Sequence, residues 1–216
     1  MPDPRLLGQA LVDLLTLGHP PIAIDFRDTE PNGNRFTGSP VVASCVFWMQ
    51  AHQGGFSTAA DDHHCSVGRF THGLAEAGEI VDQPDVGALL DVGWVTMEAF
   101  AEVAHLSRRP HSIAYGPLSE APTMPDVVLL RLSPRQMMEI GDAVDVELSG
   151  KPQCQILPRA VDRQVIAASM GCALSRARTG MSDEELTCAI PGERLEEVVA
   201  ALRAVRRADD AVAALA

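Results

Sequence analysis

Apolar and polar positions alternate along the chain in short blocks. Leu6, Leu7, Ala10, Leu11, Leu14 and Leu15 recur at helical spacing. They predict an amphipathic helix entered through Pro4 and stopped by Gly18 and Pro20. Residues 21–26 read as a short buried strand. Residues 28–40 carry Asp28, Pro31, Asn32, Gly33, Asn34, Gly38 and Pro40, the chemistry of a loop, and predict a mobile flap. Residues 41–53 read as a helix ended by Gly54 and Gly55, and residues 56–59 as a strand. Asp61, Asp62, His63, His64 and Cys65 form a polar turn that opens a helix from Ser66 toward Leu74. Within the mixed stretch 75–112, residues 96–106 predict one helix.

Farther on, residues 112–115 predict a strand closed by Gly116 and Pro117, and residues 127–132 the strongest strand of the chain. Ser133 and Pro134 cap a helix with Met137, Met138, Ile140 and Val144 on its inner side. Residues 161–168 read as strand or helix, and a turn at Met170, Gly171 and Cys172 feeds a short helix. Residues 186–190 read as a strand, and Pro191 and Gly192 lead into a long helix from Glu193 to Arg206. Strand and helix alternate without the regular beat of a doubly wound sheet. The fold class expected is α+β, an irregular α/β arrangement, in one domain over residues 1–207. The Ala-rich tail 208–216 is expected to fray.

Composition narrows the function. The chain has 216 residues, with 17 Lys and Arg against 29 Asp and Glu, a net charge of −12. Such a surface repels phosphate backbones, so nucleic acid and anionic membranes are excluded as general partners. No apolar run is long enough for a membrane span, and no secretory leader is visible after Met1, so a cytoplasmic location is expected. Five cysteines in a reducing compartment point to free, metal-bound or redox-active thiols rather than a disulfide framework.

The cysteines repeat. Cys45 is followed after 19 residues by Cys65-Ser66-Val67-Gly68-Arg69, and Cys154 after 17 by Cys172-Ala173-Leu174-Ser175-Arg176. Each second cysteine opens a helix, where the helix dipole favours thiolate, and an Arg lies one turn on. A Pro-led strand precedes each segment. The pattern suggests an internal duplication, with pseudo-symmetric halves of about 1–110 and 111–207 around one core. In that arrangement Cys45, Cys65, Cys154 and Cys172 converge on one four-thiolate site, the donor set soft metals and iron–sulfur clusters require. The alternative is that the cysteines are packing, since free cysteine is among the most buried residue types. Cys188, in an apolar strand, is assigned to the core.

Four of the seven histidines, His52, His63, His64 and His72, fall within residues 52–72. His63 or His64 could hold a haem iron or a divalent metal, oriented by Asp61 or Asp62. The alternative is a solvated turn whose Asp residues cap the next helix. His72 is expected at the surface or its boundary. No phosphate-binding glycine loop, nucleophile elbow or zinc-protease motif is present.

Four blocks together resemble the prokaryotic family called domain of unknown function 169, the uncharacterised ArCR family. They are Leu17-Gly18-His19-Pro20-Pro21-Ile22-Ala23-Ile24; Cys45, Ala51 and Gly54 with Cys65-Ser66-Val67-Gly68; Pro117-Leu118 with Pro125-Asp126-Val127-Val128-Leu129; and residues 169–176 with Asp183-Glu184-Glu185-Leu186 and Ile190-Pro191-Gly192. The resemblance implies a prokaryotic protein whose family cysteines correspond to Cys45, Cys65, Cys154 and Cys172. Many members carry a further cysteine where this chain has Ala173, Leu174 and Ser175, and His63-His64 is not part of the pattern. The family supplies no reaction.

Three functions are therefore expected to compete. The first is an iron protein, holding an iron–sulfur cluster or haem, with redox or lyase chemistry on a small molecule. Its metal ligands are Cys45, Cys65, Cys154 and Cys172; Cys65 and Cys172 carry the chemistry. His63, His64, Arg69 and Arg176 bind the cofactor or an anionic substrate. The second is a small-molecule binding or sensor module, lidded by the flap, without catalysis. The third is a thiol enzyme using Cys172 or Cys65. A homodimer is compatible with each.

Overall fold

The structure, a computed structural model, describes residues 2–31 and 33–215. Met1, Asn32 and Ala216, and with them parts of the expected flap and tail, lie outside the described residues.

Seven strands make one mixed sheet: β1 (Ile22–Arg27), β2 (Phe56–Thr58), β3 (Ser112–Pro117), β4 (Val127–Leu132), β5 (Glu147–Ser149), β6 (Ala167–Ser169) and β7 (Leu186–Pro191), in the order β2-β3-β1-β4-β7-β6-β5. All pairs are antiparallel except β5 with β6. The helices are α1 (Pro4–Leu15), α2 (Val46–Gln50), α3 (Ser66–Thr71), α4 (Ala77–Ile80), α5 (Pro84–Asp91), α6 (Met97–Ala101), α7 (Pro134–Ala143), α8 (Ile156–Arg163), α9 (Ala173–Thr179) and α10 (Leu195–Ala213). The class is α+β.

Alternation along the strands sends side chains to two cores. On one face Leu11 and Leu15 of α1, Ile140 of α7 and Leu195, Val198 and Leu202 of α10 pack on Val128, Leu130, Cys188 and Ile190. Each such buried aliphatic stabilises by roughly 2 kcal/mol. On the other face Phe47 and Trp48 of α2 and Ile156, Leu157 and Ala160 of α8 pack on Ile24, Ile113, Tyr115, Leu129 and Ala189. A third, smaller core of Phe70, Ile80, Val95, Phe100 and Val103 joins α3 to α4, α5 and α6.

The sheet is pseudo-symmetric about the β1/β4 seam. β1 and β4 have six residues each, β2 and β6 three each, and β3 and β7 six each. The registers correspond as well. Ile22, the first residue of β1, faces Pro117, the last of β3; Val127, the first of β4, faces Pro191, the last of β7. Phe56 faces Tyr115 as Ala167 faces Ala189. Each closing proline opens a short 3-10 turn, 118–120 or 192–194. Even β5 has a counterpart: Leu148 pairs in parallel with Ala168, and Arg35 forms a parallel bridge to Ser57, the residue equivalent to Ala168. The seam falls between Pro117 and Val127, not at residue 110, because β3 pairs with β1 and β2.

Several elements differ from the sequence expectation. The helix expected over 41–53 is Val46–Gln50 followed by a 3-10 turn, and that expected over 96–106 is only Met97–Ala101. Residues 161–168 divide between the end of α8 and β6. β5 was not legible, being three residues at a sheet edge. The tail continues α10 to Ala213; alanine has the highest helix propensity and extends a helix whose first turns are anchored in the core.

Candidate functional site

Each repeat presents the same run of elements on one face of the sheet: a cysteine at a helix entrance, a helix, a strand, and a second cysteine capping a second helix. Cys45 enters α2, β2 follows, and Cys65 caps α3. Cys154 lies in the 3-10 turn Gln153–Gln155 that runs into α8, β6 follows, and Cys172 caps α9. The two capping thiols have the same geometry. Cys65 Sγ accepts the Gly68 N–H and Cys172 Sγ accepts the Ser175 N–H, both at 3.4 Å. The repeats cross-pack, α2 against α9 and α3 against the Cys154 turn.

Across this packing Cys65 and Cys172 each act electrostatically on both Cys45 and Cys154, and Cys45 acts on Cys154. Burial pushes the Cys45 thiol up to about 12; the Gln153 amide facing it acts the other way, and Cys65 and Cys172 add to the rise. Burial raises Cys154 well above the ordinary thiol value, with Cys65, Cys45 and Cys172 adding and Thr71 opposing. Cys65 is raised too. Its burial outweighs the Gly68 N–H, the Ser44 backbone and Arg178, which favour the anion. A helix N-terminus with an Arg one turn on was expected to favour thiolate at Cys65; desolvation is the larger effect and raises the thiol instead. Cys45 and Cys154 are buried, and Cys65 and Cys172 are half-buried. Cys188 is fully buried on the opposite face.

The histidines separate. His63 is buried, with Nδ1 bonded to Ser44 Oγ at 2.8 Å and Nε2 to Thr58 Oγ1 at 3.0 Å, and its ring meets Phe47 edge-on. Both nitrogens are engaged, Nδ1 holding Ser44, the residue before Cys45, and Nε2 holding Thr58 of β2. His64 is exposed. His72, expected near the surface, is fully buried between Phe26 and His63, with neither ring nitrogen hydrogen-bonded. Burial lowers its pKa to about 4.

The two arginines also separate. Arg176 donates to the carbonyls of Met170 at 2.6 Å, Glu185 at 3.0 Å and Ser182, and so ties the Cys172 turn to the loop before β7. Arg69 bears on His63. The cation acting on Cys65 is Arg178, which also donates to the Val42 carbonyl at 2.9 Å.

Sequence reading missed the polar atoms around the thiols. Trp48 Nε1, Tyr115 Oη and both amide atoms of Gln153 are buried without a hydrogen-bond partner of good geometry. Trp48 lies one turn after Cys45, and Gln153 adjoins Cys154, so proximity to a cysteine was the available signal. Gly68 was quoted only as part of a motif. A Cβ there would lie 2.2 Å from Ser44 Oγ and 3.3 Å from Cys65 Sγ, so only glycine lets α3 start against Ser44. Across β4, β7, β6 and β5, Arg131, Thr187, Ser169 and Ser149 form a polar row on the same face. Arg131 pairs with Glu185 at 2.6 Å, while the Thr187 and Ser149 hydroxyls have no partner.

Among the described residues, no three His, Cys, Asp or Glu side chains gather tightly enough to hold a single metal ion. No helix of the described residues is long and apolar enough to cross a membrane. No curated protein and no solved structure matches the chain. The profile of the family described as DUF169, uncharacterised ArCR, matches residues 10–201. That span takes in both repeats and all four site cysteines, and the chain belongs to the DUF169, or uncharacterised ArCR, family.

Proposed function

We propose that the protein binds an iron–sulfur cluster through Cys45, Cys65, Cys154 and Cys172 and uses it on a small molecule, in redox or lyase-type chemistry. The observation that supports this most is the pairing of thiols by pseudo-symmetry: two deep and two half-buried, each half-buried thiol acting electrostatically on both deep ones. A single zinc ion needs four sulfurs at about 2.3 Å from one centre, which the described residues do not offer. A cluster of several irons spreads its ligands over a larger body and suits four thiols that are near but not touching.

Burial that disfavours a bare thiolate favours ligation, because a bound metal deprotonates its thiol outright. The same burial argues against Cys65 as a free nucleophile. Haem is the weaker iron reading, since both nitrogens of His63 are engaged and His64 faces solvent. A bound cluster would supply electron transfer or a Lewis-acidic iron. The Gln153 amide, which acts on the Cys45 thiol, would help tune it. Cys65 and Cys172 are the less buried pair, so a substrate would reach the site from their side. Five unpaired cysteines suit a reducing, cytoplasmic setting.

Protein purified without oxygen, assayed for iron and acid-labile sulfide with its visible spectrum, tests this. Equimolar iron and sulfide with a broad shoulder support a cluster; a colourless, iron-free protein after reconstitution contradicts it.

A further inference from the structure

The pseudo-symmetry supplies a baseline against which additions stand out. In the second repeat α9 ends at Thr179 and β7 begins at Leu186. In the first, α3 ends at Thr71 and β3 begins only at Ser112. The added segment carries α4, α5 and α6 and its own small core. An insertion on a repeated scaffold is where specific function is usually carried. This one is fastened to the thiol site: the Asp85 carboxylate of α5 accepts from Ser66 N at 2.9 Å and Ser66 Oγ at 2.6 Å, next to Cys65.

Between the inserted helices and α3 lies a cleft of about 700 Å³, within the size range of small-molecule sites. Its floor is a run of stacked rings. Phe70 stacks on Phe100 at 5.3 Å and on His105 at 4.5 Å. Met97, 49% exposed, adds an apolar wall. The cations at the rim are already paired, Arg109 with Glu79 at 3.2 Å and Arg108 with Asp28 at 2.8 Å. Phe70 and Phe100 are themselves buried, so the cleft offers the exposed His105 ring and Met97, with the rim cations paired.

We infer that this cleft is a binding site for an uncharged, planar aromatic small molecule, seated against the exposed His105 ring that ends the Phe70 stack. The His105 ring supplies stacking, backed by the buried Phe70, and Met97 supplies apolar contact. The site is separate from the cluster, and its occupancy does not depend on iron.

The test uses the neutral fluorescent probe N-phenyl-1-naphthylamine and the full chain. Gly78 lines the cleft, and a Cβ there meets no atom within 4 Å. Gly78→Phe therefore adds bulk at the cleft wall without a clash at Cβ, and Ala101→Phe adds it from α6. The inference predicts saturable binding to the parent protein. It predicts at least roughly tenfold weaker binding in each plugged variant, about 1.4 kcal/mol, with melting unchanged. Met138→Ser, which removes an exposed apolar side chain on α7, should leave binding unaltered. No saturable binding, or equal binding in the folded plugged variants, overturns the inference. Iron content measured on the same samples reports separately on the cluster.

Discussion

Cys65 and Cys172, in different repeats, each accept a backbone N–H from three residues on, at the same 3.4 Å. The match ties a sequence pattern to a structural role, since each thiol starts a helix and each helix packs on an element of the other repeat. Replacing either cysteine by alanine should leave the fold largely intact, at a cost of about 1 kcal/mol for the lost cap. Iron retention should fall sharply in both variants and in Cys45→Ala and Cys154→Ala. Cys188→Ala, on the opposite face, should keep its iron; iron analysis of the five variants is the check.

Gly68→Ala should be worse than a cap mutation. The added carbon would collide with Ser44 Oγ, which also holds His63. The expected loss is about 1–3 kcal/mol in urea unfolding, the range for overpacking. The Cys65 thiol should also react more readily with a thiol reagent once its turn loosens.

His72 makes stability depend on pH. Its folded pKa is lowered to about 4 by burial, against about 6.5 unfolded. The unfolded chain therefore binds the extra proton between these values, and stability rises with pH there. Below pH 6.5 the contribution declines and is lost as pH falls to about 4, a change of order 3 kcal/mol. His72→Leu should flatten this limb. Urea unfolding at pH 5 and pH 7 measures it, and an equal slope in the variant would count against the assignment.

Truncation after Arg207 should cost little, within about 0.5 kcal/mol, although it removes helix. The buried residues of α10 are Leu195, Val198, Val199 and Leu202, all in its first half. Thermal melting of the shortened chain tests this.

Much of the scaffold was legible because its signals are local. Ser133 and Pro134 announce α7, and the apolar run at 127–132 announces β4. Cysteine spacing pointed to four residues at or just before helix starts, which local turn chemistry marks. What was not legible depends on tertiary context. His72 is polar by type, and only the packing of Phe26 and His63 around it makes it a core residue. Arg176 shares its spacing with Arg69, yet one guanidinium binds three carbonyls and the other faces a histidine. The cation near Cys65 is Arg178, on a helix of the other repeat, which no local spacing could identify.

The central claim is that four thiols of two repeats share one body of iron and sulfur. X-ray absorption at the iron edge, on protein prepared without oxygen, examines it most directly. Iron coordinated by sulfur alone, with iron neighbours beyond it and both lost in Cys154→Ala, is the expected result. A shell of nitrogen and oxygen, or an isolated iron without metal neighbours, would contradict it.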